Sequence, residues 1–179
     1  LPQVPANGWG TAAATAAVPA GIRTNGPETE IFETFTESGM GVAADAFLAA
    51  NANVKEHLAV GEGTAIETPA VFEVKLDEAH PCALSCLTID AAKDSSLTVV
   101  QVLRGDAENG VSASLTRIRA AENAHVTLVQ VQLLGNRARR WNAVAIEQGK
   151  STGTMCSTST MSPSTLAGTP CARCTPPVC

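Results

Sequence analysis

Residues 91–102 and 120–131 are two copies of one pattern, so that Ala91-Ala92 recurs as Ala120-Ala121. In each, two alanines lead into a charged residue and then Asp94 or Asn123. A small residue follows, and then an apolar run: Leu97-Thr98-Val99-Val100-Gln101-Val102 in the first copy, Val126-Thr127-Leu128-Val129-Gln130-Val131 in the second. A turn and a strand that recur together at one period are what stacked coils require, because like positions then form ladders from coil to coil. A β-sandwich also has many short strands, but it gives no reason for turn and strand to repeat as a unit. The expected fold is therefore all-β, a right-handed parallel β-helix.

Alternating and β-branched apolar runs place strands at 54–60, 70–76, 83–89, 97–103, 112–118, 126–134 and 142–146, separated by turn residues. Aromatic residues make up 3% of the chain and tyrosine is absent. This suits a narrow interior of stacked aliphatic rows rather than a bulky globular centre.

Upstream of the repeat the pattern changes. Residues 1–52 are rich in Pro, Gly, Ala and Thr and read as extended covering chain. One short helix is expected over 41–51, where Val42, Ala43, Ala46, Phe47 and Ala50 recur at helical spacing. The β-helix core is assigned to 53–149. A third copy of the repeat starts at Ala145-Ile146-Glu147-Gln148-Gly149-Lys150, but the alternating apolar strand does not follow. Residues 150–179 form a low-complexity Ser, Thr, Pro and Cys segment with too little apolar surface to offset its ordering entropy, so a disordered C-terminal tail is expected. The abrupt change reads as a frameshift that replaced the natural continuation, the alternative being a natural low-complexity tail.

A formal charge of −5 and a pI near 5.1 argue against nucleic-acid binding, which needs clustered Lys and Arg to neutralise phosphates. No apolar run reaches the ~18–20 residues of a bilayer span, so no membrane association is expected. The chain opens on Leu1 without the features of a signal peptide, which reads as a trimmed start. The sequence contains no Asn-x-Ser/Thr acceptor, and Cys82 and Cys86, four residues apart on one strand, lie about 13 Å from each other, beyond bridging distance. Both observations point to a cytoplasmic protein with free thiols.

Three segments of this sequence resemble the SufB/SufD family of the SUF iron–sulfur cluster assembly system, and its shorter SufD-like members most. They are Leu1-Pro2 with Trp9, the lead into the first coils at Gly61-Glu62-Gly63-Thr64-Ala65-Ile66-Glu67-Thr68-Pro69-Ala70-Val71, and the repeat through Val126-Thr127-Leu128-Val129-Gln130-Val131-Gln132-Leu133-Leu134-Gly135. The resemblance covers residues 1–149 and implies a right-handed parallel β-helix without enzymatic activity of its own. It implies a scaffold that contacts SufB-like and SufC-like proteins, with any iron–sulfur cluster held only in the assembled complex and none bound firmly by this chain. The family's cluster-handling and ATPase-gripping parts lie towards and beyond the C-terminal end of its β-helix, so the resemblance transfers no site residue, and the chain reads as truncated. The alternative reading is a β-helix carbohydrate-binding or carbohydrate-active protein, which would need aromatic platforms and paired carboxylates on stacked strands.

Among residues that could carry chemistry, Cys171, Cys174, Cys179 and Cys156 offer four thiols, with one Cys-x-x-Cys pair; they are metal-site candidates, set against accidental cysteines in a tail. Gly149-Lys150-Ser151 looks like the end of a phosphate loop, but Val144 stands where its leading glycine belongs. His80, Cys82 and Cys86 share a parity, interrupted by Pro81; buried structural cysteines are the simpler reading. His125 opens a strand at an exposed turn. His57, beside Glu56, shows no nucleophile with an orienting acid nearby, so no catalytic triad is expected. Arg137, Arg139, Arg140 and Trp141 form the single basic and aromatic cluster, either an interface or an ordinary solvated loop between coils. Glu28, Glu30, Glu33 and Glu37 read as a solvated acidic surface.

Overall fold

The structure, a computed structural model, describes residues 10–25, 40–107, 110–135, 138–148 and 153–160, the last of these by their backbone. Two five-stranded sheets face each other. The first has the order β1 (Ala13–Ala17), β4 (Ala70–Leu76), β6 (Ser96–Gly105), β8 (His125–Leu134), β10 (Gly153–Thr160). The second has the order β2 (Ile22–Asn25), β3 (Val54–Val60), β5 (Cys82–Ala91), β7 (Val111–Ala120), β9 (Arg139–Gln148). The chain alternates between the sheets, so each successive pair of strands from β3 onward is one coil of a parallel β-solenoid. The sequence expectation of an all-β solenoid is met.

The repeat is visible as register. Val54 pairs with Ser85, Ser85 with Ser114 and Ser114 with Asn142, so the coils shorten slightly from the first to the third. Because the side-chain period is two, this register stacks like on like: Leu58, Ile89, Ile118 and Ile146 form one inward row, and Ala70, Val99 and Leu128 face them from the other sheet.

The recurrent Asp or Asn turn has a backbone reason. Asp94 and Asn123 have φ of 57° and 56°, the left-handed region that short polar side chains tolerate best after glycine. The two stack, with Asn123 Nδ2 donating to Asp94 Oδ1 at 3.0 Å and the Asp94 amide donating to the Glu122 carbonyl at 3.0 Å. At the opposite corner Gly105 has φ of 132°, and a Cβ there would lie 1.9 Å from the Leu76 carbonyl oxygen. Only glycine lets the chain leave β6 so close to the coil beneath it.

One helix, α1 (Val42–Asn51), begins after Gly41 and lies on the outer face of the second sheet. Its Leu48, with Phe47 and Met40 beside it, covers Cys82, Leu84, Cys86, Ala113 and Leu115. The central strands of this sheet are thus buried on both faces, which is why residues 82–87 read as a nearly continuous apolar run. Asn53 locks the junction, accepting from the Leu84 amide at 2.9 Å and donating to the Cys82 carbonyl at 3.2 Å.

The structure departs from the sequence expectations in three places. Parts of residues 1–52 form strands rather than extended cover: β1 and β2 add antiparallel to β4 and β3 and close that end of both sheets. The sheet does not stop at Gly149, because β10 pairs in parallel with β8 from Gly153 opposite His125 to Thr160 opposite Gln132. Parallel pairing is made by peptide groups and asks little of side chains, and Thr and Ser tolerate extended backbone well. Finally, the interior is not aliphatic throughout, as the network below shows. Residues 161–179, for which disorder was expected, lie outside the described residues. No described helix is long and apolar enough to cross a membrane.

Candidate functional site

The outer face of the second sheet gathers charge along two register lines. One runs His57, Thr88, Arg117, Ala145; the other Ala59, Asp90, Arg119, Glu147. His57 Nε2 lies 2.7 Å from Asp90 Oδ2. The other Asp90 oxygen lies 3.5 Å from an Arg119 nitrogen, and Arg119 Nε lies 3.6 Å from Glu147 Oε2. These two longer contacts are charge contacts rather than hydrogen bonds. The chain of four side chains links four successive coils, one residue from each.

Its chemistry is limited by burial and by broken relays. Thr88 is 1% exposed, and neither its hydroxyl nor His57 Nδ1 has a hydrogen-bond partner among the described residues. The two are therefore not bonded to each other, and a hydroxyl so enclosed meets no substrate. Asp90 is the acid that sequence reading did not find for His57. The signal was hidden because the first coil, which sets Val54 opposite Ser85, is longer than the repeat that carries Ala91 to Ala120.

Beneath α1, Arg117 is 4% exposed and Asp45 of the helix 7%. Burial pulls the Arg117 guanidinium down, and the Asp45 carboxylate acts against that fall. This opposite pair fixes how the helix seats on the sheet, since moving either group away would leave a buried charge uncompensated.

The cysteines divide. Cys82 and Cys86 share the outer face of β5 under α1, as their parity implied, and both are free thiols. Burial pushes Cys86 up to about 11 and Cys82 in the same direction, so both are protonated at neutral pH and poor ligands for a metal. His80 does not join them: it sits in the preceding turn with its Nδ1 3.0 Å from Asp77 Oδ1. Cys156 lies on β10 opposite Leu128 in register. Cys171, Cys174 and Cys179 lie outside the described residues, as do Lys150, Ser151 and the acidic run at Glu28, Glu30, Glu33 and Glu37. No group of three or more His, Cys, Asp or Glu among the described residues could hold a metal ion. His125 is exposed at the start of β8, as expected.

The basic cluster is split by the strand that carries it. Residues 139–141 are the start of β9 rather than a loop, so neighbours alternate between faces. Arg140 turns into the solenoid, where it donates through one terminal nitrogen to Gln132 Oε1. Arg139 is exposed and Trp141 is 49% exposed on the outer face; Arg137 lies outside the described residues. The reading of three arginines and a tryptophan as one surface is thereby reduced to Arg139 and Trp141.

The inward face beside Arg140 holds the other polar constellation, which sequence reading missed. Gln101 and Gln130, the same position in the two copies of the repeat, stack in register, and Gln130 Nε2 donates to Gln101 Oε1 at 2.6 Å. From the opposite sheet Asn142 Nδ2 donates to Gln130 Oε1 at 2.8 Å, Ser114 donates to Asn142 Oδ1 at 2.6 Å, and Gln101 Nε2 donates to Thr116 at 3.0 Å. Gln130 is 2% exposed and Thr116 0%. The recurrence of glutamine at one phase of the repeat was the available signal.

Compared with protein-family models, curated proteins and solved structures, the chain has no match.

Proposed function

We propose that this protein is a SufD-like scaffold subunit of a cytoplasmic iron–sulfur cluster assembly complex, working by protein–protein contact with SufB-like and SufC-like partners and not as an enzyme. The observation that carries the reading is the inequality of the two ends of the solenoid. At one end β1 and β2 close both sheets with antiparallel strands. At the other, β9 and β10 are the last strands of their sheets, with no further partner among the described residues, and Arg139 and Trp141 stand on β9 itself. Unpaired backbone donors and acceptors are a template for another chain, and tryptophan and arginine are among the residue types enriched where interfaces bind most tightly.

A positional role also suits the chemistry of the described side chains. His57 is buried against Asp90, the thiols of Cys82 and Cys86 are held protonated by burial, and the charged ladder ties coils together. In this reading the cluster is the cargo of the whole complex, and this chain contributes a rigid body that fixes where partners sit.

The test is co-expression with a SufB-like and a SufC-like protein, followed by affinity purification and size-exclusion chromatography. A stoichiometric complex that loses the SufB-like partner on Trp141→Asp supports the proposal. A chain that elutes alone in the presence of both partners, with its β-sheet circular dichroism intact, refutes it.

A further inference from the structure

Beside the apolar core lies a half-open cavity of about 50 Å³, lined by Glu56, Phe72, Ser85, Gln101, Ser112 and Arg140 among others. Glu56 stands on β3 and Arg140 on β9, three strands apart in one sheet and four residues out of register, because Glu56 leads through Leu87 and Thr116 to Val144. One water-sized guest takes about 10–15 Å³ of such space, so the cavity admits about three to five.

The two charged groups that line the cavity are Arg140 and Glu56. Arg140 Nε is buried and has no hydrogen-bond partner among the described residues, while its terminal nitrogen meets only the neutral amide of Gln132. Burial lowers the Arg140 guanidinium with no carboxylate acting against it, whereas Arg117 has Asp45 and Glu147. Glu56 is pushed up by its own burial. Arg140 is therefore a cation in a poorly solvated place without a counter-charge among the described residues, a costly state unless something supplies one. Ser112 pairs with Arg140 in register, is 2% exposed and lines the same cavity, which puts a hydroxyl donor on the Arg140 side.

We propose that the Arg140 side of this cavity binds a small monovalent anion of halide size, held by the Arg140 Nε–H and the Ser112 hydroxyl, with water filling the rest. Space for about three to five water-sized guests suits a small ion better than an organic acid. The bound anion neutralises Arg140 and lets the last coil keep a charged residue inside.

The full chain is tested with sodium bromide against sodium gluconate at fixed ionic strength, reading the melting temperature, and with crystals grown in bromide, reading anomalous scattering. The expected result is a saturating rise in melting temperature with bromide and none with gluconate, lost in Arg140→Met, retained in Glu56→Gln and weakened in Ser112→Ala. An anomalous peak beside Arg140 is expected in the wild-type crystals. Equal response to both anions, or a bromide response that survives in Arg140→Met, overturns the proposal. Should Arg140→Met fail to fold, the wild-type crystals decide: no bromide peak beside Arg140 overturns the proposal as well.

Discussion

Replacing Gln130 by leucine separates the polar network from the packing around it. Leucine has nearly the volume of glutamine, so the packing cost is small, below about 1.5 kcal/mol. The hydrogen-bond cost is larger. Asn142 Nδ2 loses its acceptor at 2.8 Å, Gln101 Oε1 keeps only the weaker donation from Thr116 at 3.3 Å, and Asn142 Oδ1 keeps Ser114. One orphaned amide donor costs about 1–3 kcal/mol and each weakened bond about a further half to one, discounted because Asn142 is only half-buried, so a loss of about 2–3 kcal/mol is expected. For a chain of this size that is a fall in Tm of roughly 5–10 °C.

The second arm of this experiment is the pair Gln130→Leu with Asn142→Leu. If orphaned groups cause the loss, removing both partners costs less than the two single changes together, by about 1 kcal/mol or more. Urea unfolding followed by far-UV circular dichroism measures all three variants on one scale. A Gln130→Leu loss below about 1 kcal/mol, or strict additivity in the double variant, refutes the account of the interior as a network whose members depend on one another.

Three further outcomes follow from the geometry. Gly105→Ala, with a Cβ 1.9 Å from the Leu76 carbonyl, should abolish folding or lower Tm far more than Gly63→Ala, whose φ of 65° is strained but whose surroundings are open, so that about 1–2 kcal/mol is expected there. Asp90→Ala leaves His57, 8% exposed at its side chain, without its acceptor and should cost about 1–3 kcal/mol in urea unfolding, whereas Glu147→Ala, at the 3.6 Å contact, should cost less than 1. Cys86 rises from 9.0 to about 11 on folding, so the unfolded chain loses its proton first; stability should be fully present below pH 9 and decline as pH rises from 9 through 11, and Cys86→Ala should flatten that part of the profile.

The coils were legible in the sequence because ladders repeat what they stack. The alternation of Leu97, Val99 and Val126, Leu128 fixed both the strand and its inward face, and Asp94 with Asn123 fixed the turn. What stayed hidden was whatever joins different phases of the repeat. His57 meets Asp90 across a coil lengthened by the 61–69 loop, and Gln130 meets Asn142 across the lumen, from strands of opposite sheets. Neither contact has a fixed sequence offset to detect. Arg140 illustrates the same limit: beside Arg139 and Trp141 it looks like part of one basic surface, and only the extent of β9 shows that alternate residues part company.

The change of composition after Gly149 also has a physical meaning that differs from the end of a fold. A parallel ladder is made of peptide groups, and β10 takes its place on β8 at the register the earlier coils set, Gly153 following His125 at the same spacing as Asn142 follows Ser114. Side-chain chemistry decides what stacks, not whether the backbone can pair: Cys156 and Thr158 occupy the positions held by Leu128 and Gln130 one coil earlier. The sheet carrying β10 is therefore extended by one strand, while Arg140 of β9 keeps its charge inside the last coil of the other sheet. Among the described residues β9 and β10 are the last strands of their sheets and Arg140 lies half-buried in the last coil, so the partner strand proposed for the edge and the anion proposed beside Arg140 use different groups and can be lost independently.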